Sequence, residues 1–123
     1  MHEVYESTRN RDRKITSKQA IFECISPDGG LYVWPELAQV QLDLTTICKQ
    51  SYKENAVYIL SHLLPDFTKE ELEQCVANAY GNTFSSPDIT PLRKVGDVYV
   101  LELFHGPTSA FKDVALTLLP QLM

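Results

Sequence analysis

Cysteine is scarce in this chain and unsuited to pairing. Cys24, Cys48 and Cys75 are odd in number, widely spaced and without a C-x-x-C, which argues against both a disulfide framework and a cysteine-based zinc site. Each falls in a helical pattern beside apolar residues, where a free thiol behaves as a small hydrophobe. The histidines, His2, His62 and His105, are too scattered to suggest a metal centre. No apolar run approaches the roughly 18 residues of a membrane span. The opening Met1-His2-Glu3-Val4-Tyr5-Glu6 lacks a signal-peptide core, so a reducing cytosol is the expected location. Positive charge is also in short supply, with 11 Lys and Arg against 16 Asp and Glu and a net charge of −5. Such a balance gives no footprint for nucleic acid. The local run Arg9, Arg11, Arg13 and Lys14 is broken by Asp12 and reads as a solvated basic arm. Internal repeats and low-complexity tracts are missing as well.

What is present is a 123-residue chain with 44% hydrophobic residues, enough for one compact domain or a small domain plus a piece of another. Residues 3–8 read as a strand and 16–25 as a helix that opens on Thr16-x-x-Gln19, a capping-box spacing. Pro27-Asp28-Gly29-Gly30 ends that element, and Leu31-Tyr32-Val33-Trp34-Pro35 continues as extended chain. Residues 44–50 read as a short helix. Ser51-x-x-Glu54 and Thr68-x-x-Glu71 are further boxes, each opening a longer helix. In the second of these, Leu72, Cys75, Val76, Ala79 and Tyr80 recur at helical spacing and Gly81 supplies the stop.

The composition changes after Gly81. Residues 82–91 are rich in Ser, Pro and Asp and read as a linker or surface loop. A hairpin follows, with strands over 92–95 and 98–104 around Gly96-Asp97. The second strand is nearly continuously apolar around Glu102, so burial on both faces is expected. Phe111, Val114, Ala115, Leu118, Leu119 and Leu122 then mark one face of a helix that Pro120 breaks or kinks. That apolar face exceeds what these residues can cover, so its packing partners are expected outside them.

Between the strand and the last helix lies His105-Gly106-Pro107-Thr108-Ser109-Ala110-Phe111-Lys112-Asp113. Lys112 stands off the apolar stripe and reads either as a solvated surface lysine or as a functional amine. Its place after an apolar strand, near a helix start and behind a small rigid loop, favours function. A reactive lysine must be neutral, and its ordinary pKa near ~10.4 leaves little free amine at neutral pH. Burial beside an aromatic ring and a helix terminus is the expected means of shifting it. These features do not specify a cofactor.

The run Leu101-Glu-Leu-Phe-His-Gly-Pro-Thr-Ser-Ala-Phe-Lys112-Asp113 resembles the cofactor-lysine segment of threonine synthases. Met1-x-x-x-Tyr5-x-Ser7-Thr8-Arg9 and Asp28-Gly29-Gly30-Leu31-Tyr32-Val33 resemble the opening segments of that family. The resemblance covers the whole chain and is most specific over 101–113. It departs at Asn10, where the family often has Gly, and the family's Gly-rich phosphate cradle and most of its catalytic domain are not among these residues.

The resemblance implies an α+β arrangement. A helical N-terminal domain with short strands, residues 1–81, precedes the first strands and helix of a PLP-binding α/β catalytic domain, residues 82–123. It implies pyridoxal 5′-phosphate (PLP) as cofactor of the full-length enzyme, with Lys112 as the lysine that carries it and then acts as general base. The implied reaction turns O-phospho-L-homoserine and water into L-threonine and phosphate. The implied partners are that small substrate and the remaining C-terminal catalytic domain, with neither nucleic acid nor membrane. Phe111 matches the aromatic neighbour that packs near the cofactor; as a member of the apolar stripe it equally reads as core. His105, Thr108 and Asp113 match motif positions and either touch ligand or shape the loop, with Thr108 or Ser109 as N-cap. Ser7, Thr8 and Arg9 either reach the substrate phosphate or form a strand-end turn. Two other readings stand beside this one. The first is another PLP lyase of the same class, such as a serine or threonine dehydratase or a cysteine synthase. The second is a non-catalytic packing module, for which no activity and no PLP binding by the isolated chain are expected.

Overall fold

A computed structural model describes residues 3–123; Met1 and His2 lie outside the described residues. The first part is a small antiparallel sheet in the order β2-β1-β3, built from β1 (Tyr5–Ser7), β2 (Lys14–Ile15) and β3 (Tyr32–Val33). Its register sets Tyr5 opposite Ile15 and Ser7 opposite Tyr32. Helix α1 (Ser17–Glu23) lies between β2 and β3 and is shorter than the expected 16–25. Thr16 accepts the Gln19 N–H, but the Gln19 amide donates to Glu23 at 2.8 Å instead of returning to Thr16, so the box is half formed. The missing N-terminal acceptor comes from far along the chain. The Asp66 carboxylate accepts the N–H groups of Ser17 and Lys18, each at 2.9 Å, and also the Ser17 hydroxyl.

A 3-10 turn (Leu37–Gln39) and α2 (Leu44–Ile47) lead to the two longest helices, α3 (Tyr52–Leu63) and α4 (Lys69–Ala79). Both open on complete capping boxes, Ser51 with Glu54 and Thr68 with Glu71. The Tyr5 hydroxyl donates to Leu63 O at 2.8 Å and ties the small sheet to the end of α3. The core lies along α4. Val76, Ala79 and Tyr80 pack with Phe84 and Ile89 from the following segment, and Tyr52, Leu60, Val114 and Leu118 close over them. Tyr80 sits edge-on to Tyr52 at 5.2 Å and to Phe84 at 5.7 Å between ring centroids. Leu72 and Val76 are 0% and 1% exposed, as the helical spacing requires.

Three expectations are revised here. The hairpin β4 (Leu92–Val95) and β5 (Val98–Leu101) forms, with its second strand ending at Leu101 and not at Phe104; every residue in it is exposed, and among the described residues its sheet holds these two strands alone. The apolar run calls for cover, and no layer of described residues supplies it. The last helix divides into α5 (Asp113–Leu116) and α6 (Leu119–Leu122), with Pro120 in the first turn of α6, where a missing N–H costs nothing. Cys24 and Cys48 are exposed and only Cys75 is partly covered, so the thiols do not serve as core as the helical pattern suggested. No helix among the described residues is long and apolar enough to cross a membrane.

One acid-sensitive node holds the small sheet to α1. Glu23 accepts from the Tyr32 hydroxyl, from Gln19 and from Arg13 Nη2 at 2.8 Å, in that order of effect, and these bonds bring its carboxyl down to about 2. A lowered native pKa stabilises above the ordinary value of 4.5, and that stabilisation is lost as pH falls toward about 2. The urea midpoint should therefore drop further between pH 5 and pH 2.5 in the wild-type chain than in Glu23→Gln. Equal drops would remove Glu23 from the acid response.

Candidate active site

The candidate residues fall into two groups, and no hydrogen bond or ion pair among the described residues joins them. The first group sits where β1 runs into its turn. Ser7 is 0% exposed, and its hydroxyl lies 2.9 Å from both oxygens of Asp28 while accepting the Arg9 N–H at 3.2 Å. The Gly30 N–H donates to the same carboxylate at 2.7 Å; this bond first, and then the Ser7 hydroxyl, outweigh partial burial and hold Asp28 below the usual carboxylate range. A Cβ at Gly30 would overlap Ser7 Oγ and come within 2.9 Å of Asp28 Oδ1, so only glycine fits. Thr8 exchanges bonds with Leu31, its N–H donating to Leu31 O at 2.8 Å and its Oγ1 accepting the Leu31 N–H at 3.0 Å. The Arg9 guanidinium donates to Asp28 O at 3.2 Å. Here Ser7 and Thr8 stitch the Asp28-Gly29-Gly30-Leu31 segment to β1, and exposed Arg9 is the cation of this group.

The second group is the loop from β5 to α5. At its entry His105 is held on both ring nitrogens: Nε2 lies 2.7 Å from Glu102 Oε2 and Nδ1 lies 2.9 Å from Ser85 Oγ. The Ser85 N–H also donates to His105 O at 2.9 Å, and Arg93 Nε lies 3.7 Å from the same Glu102 oxygen. At its exit Asp113 is 5% exposed, and its two carboxylate oxygens accept from Thr108, the N–H at 2.8 Å and the hydroxyl at 2.6 Å. The Thr108 hydroxyl bond, ahead of all other influences, holds the Asp113 carboxyl below its usual range. Ser109 between them takes φ 59°, an uncommon conformation for a residue with a side chain.

Neither Thr108 nor Ser109 caps α5, as one reading expected. Lys112 occupies the N-cap position with no side-chain bond, and capping runs the other way, from Asp113 back onto the loop. Lys112 is exposed, not buried, and its amine makes no ion pair among the described residues, whereas Lys18 and Lys69 are paired with Glu71 and Glu73. Phe111, read either as the ring beside the cofactor or as core, is 65% exposed beside it, which removes the core reading among the described residues. A cavity of about 710 Å³ lies elsewhere, beside Phe22, Cys75 and Gln121. The sequence alone did not point to Ser85 and Glu102 as partners of His105, or to Arg93 beside Glu102. The available signal was Glu102 itself, one charge in an apolar strand at i,i+3 from a histidine.

The family model for the threonine synthase N terminus matches residues 4–80. The chain belongs to this threonine synthase family. It is 37% identical over 122 residues to the threonine synthase of Schizosaccharomyces pombe, covering 96% of this chain and 24% of that protein. It is 39% identical to the Saccharomyces cerevisiae enzyme, covering 93% and 24%, and 32% identical to human threonine synthase-like 1, covering 98% and 18%. Among solved structures it superposes on PLP-bound threonine synthase from Brucella melitensis with a TM-score of 0.84 at 36% identity, covering 97% of this chain and 26% of that one. For threonine synthase from Escherichia coli the TM-score is 0.79 at 28% identity, covering 96% and 27%. The chain thus spans about a quarter of the length of these synthases. The helices and short antiparallel strands described above are the mixed α+β arrangement of the threonine synthase N-terminal region.

Proposed function

We propose that this chain is the N-terminal part of a cytosolic threonine synthase, an enzyme that converts O-phospho-L-homoserine and water to L-threonine and phosphate. In this reading residues 1–81 form the N-terminal domain and residues 82–123 begin the PLP-binding catalytic domain. The observation that carries it is Lys112, an exposed amine without an ion-pair partner among the described residues, on a loop pinned at both ends. These features fit the aldehyde end of PLP. The Phe111 ring, exposed next to it, is the aromatic group this reading sets against the cofactor. Nothing described here is built to hold the cofactor's phosphate: Ser7 is spent on Asp28 and Thr108 on Asp113.

PLP when bound supplies an electron sink for negative charge at the substrate carbons. Lys112 holds the cofactor, and its amine is the group that takes and returns protons at those carbons; a long flexible stem lets one amine serve neighbouring positions. Arg9 is the charge available for a substrate phosphate. The exposed faces of β4, β5 and Phe104 are sites for the remainder of the catalytic domain to cover. The run His105-Gly106-Pro107-Thr108 and the Ser7-Thr8-Arg9 opening favour a synthase over a dehydratase of the same class.

Phosphate release from O-phosphohomoserine tests this reading. The full-length enzyme should release phosphate and threonine in equal amounts, while the purified 123-residue chain releases none above buffer. Activity on serine with no action on phosphohomoserine would replace the synthase by a dehydratase. Release by the chain alone would refute its inactivity.

A further inference from the structure

We infer that Asp113 is a positioning residue for the reaction: its buried carboxylate closes the loop on Thr108 and thereby fixes the backbone from which Lys112 projects. This rests on the proposed role of Lys112. Three observations carry it. The carboxylate has two acceptors and meets two donors of one residue, Thr108 N at 2.8 Å and Thr108 Oγ1 at 2.6 Å, so the closure is complete and specific to a carboxylate. An asparagine would turn an N–H toward one of those donors. Gly106 lies so close to Asp113 that a Cβ there would overlap its side chain, so the closure also requires glycine at 106. The neighbouring residue is anchored independently, because the buried Tyr80 hydroxyl donates to Val114 O at 2.7 Å. Asp113 is thus drawn in while Phe111 and Lys112 on its N-terminal side are exposed.

The amine of Lys112 swings on four rotatable carbons, so only its Cα can be fixed by the fold. The Asp113–Thr108 closure does this through the Asp113 N–H, which donates to Ala110 O at 3.0 Å, and through Lys112 O, which accepts from Ala115 and Leu116. Small misplacements of a reacting group cost up to about a hundredfold in rate. The closure therefore acts on kcat and leaves substrate affinity alone.

The test compares Asp113→Asn, Thr108→Val, Thr108→Ser and Lys112→Ala in the full-length synthase. Amide exchange at Thr108 is followed in wild type and in Asp113→Asn. Asp113→Asn and Thr108→Val should each lower kcat by about 10- to 100-fold with KM within about twofold, and Asp113→Asn should lose the exchange protection. Thr108→Ser, which keeps both donors, should restore kcat to within about threefold. Borohydride reduction after PLP addition should place less pyridoxyl label on Lys112 in Asp113→Asn than in wild type. Loss of activity in Lys112→Ala with unchanged kcat and labelling in both closure variants would overturn the inference and spare the proposed function. Full activity in Lys112→Ala would overturn that reading itself. A defect in Asp113→Asn that Thr108→Val does not share would assign the effect to charge and not to closure.

Discussion

Replacing Lys112 by alanine should abolish turnover by the full-length synthase, by at least about 10³-fold in kcat, the scale on which a positioned proton-transfer group acts. The fold should not notice. The side chain is exposed, occupies the N-cap of α5 without capping it and has no charged partner among the described residues. Circular dichroism and the thermal midpoint should match wild type, so lost activity cannot be blamed on unfolding. Phosphate release at the wild-type rate would remove Lys112 from the chemistry.

The second large effect concerns stability. Leu72 is 0% exposed on the inner face of α4, four residues before Val76 and the aromatic cluster around Tyr80. Truncating a fully buried leucine to alanine removes its transfer free energy and leaves a cavity, which together cost about 2–5 kcal/mol. Against a total of roughly 5–15 kcal/mol, that is a large share. The urea midpoint of Leu72→Ala should fall accordingly. In the same 123-residue chain Leu92→Ala, on the 61% exposed hairpin position, should stay within about 0.5 kcal/mol. Comparable losses at both positions would mean that the hairpin is packed in the isolated chain.

The contrast between these two leucines shows what the sequence could and could not reveal. Leu72 was legible because helical periodicity fixes which side chains share a face, and because Thr68 and Glu71 mark the start of α4 by a local exchange of bonds. The α3 helix was legible for the same reason. Local signals failed where a distant group intervenes. The start of α1 depends on Asp66, some fifty residues away, which no spacing rule connects to Ser17. They failed again at Leu92–Val95 and Val98–Leu101, where an apolar pattern states a need for burial but not whether the same residues meet it.

The site divides along the same line. Lys112 and its loop could be found from the motif, since a Gly-Pro loop after an apolar strand is a local pattern. The roles of its neighbours could not. Asp113 read either as a ligand contact or as a loop-shaping residue, and it binds Thr108; Ser7 read either as a phosphate contact or as part of a strand-end turn, and it is buried on Asp28. In both cases a carboxylate and a hydroxyl from separate places in the chain satisfy each other, and only three-dimensional proximity reveals it. His105 likewise gains Glu102 and Ser85, one three residues before it after the end of β5 and one from the segment that precedes the hairpin.

The central claim is that Lys112 carries the cofactor, and the most direct measurement is chemical. Full-length synthase incubated with PLP is reduced with borohydride, digested and mapped by mass spectrometry. One pyridoxyl group per chain at Lys112, with Lys14, Lys18, Lys49, Lys53, Lys69 and Lys94 unlabelled, is the expected result. Label on another lysine of the enzyme, with Lys112 recovered unmodified, would contradict the assignment.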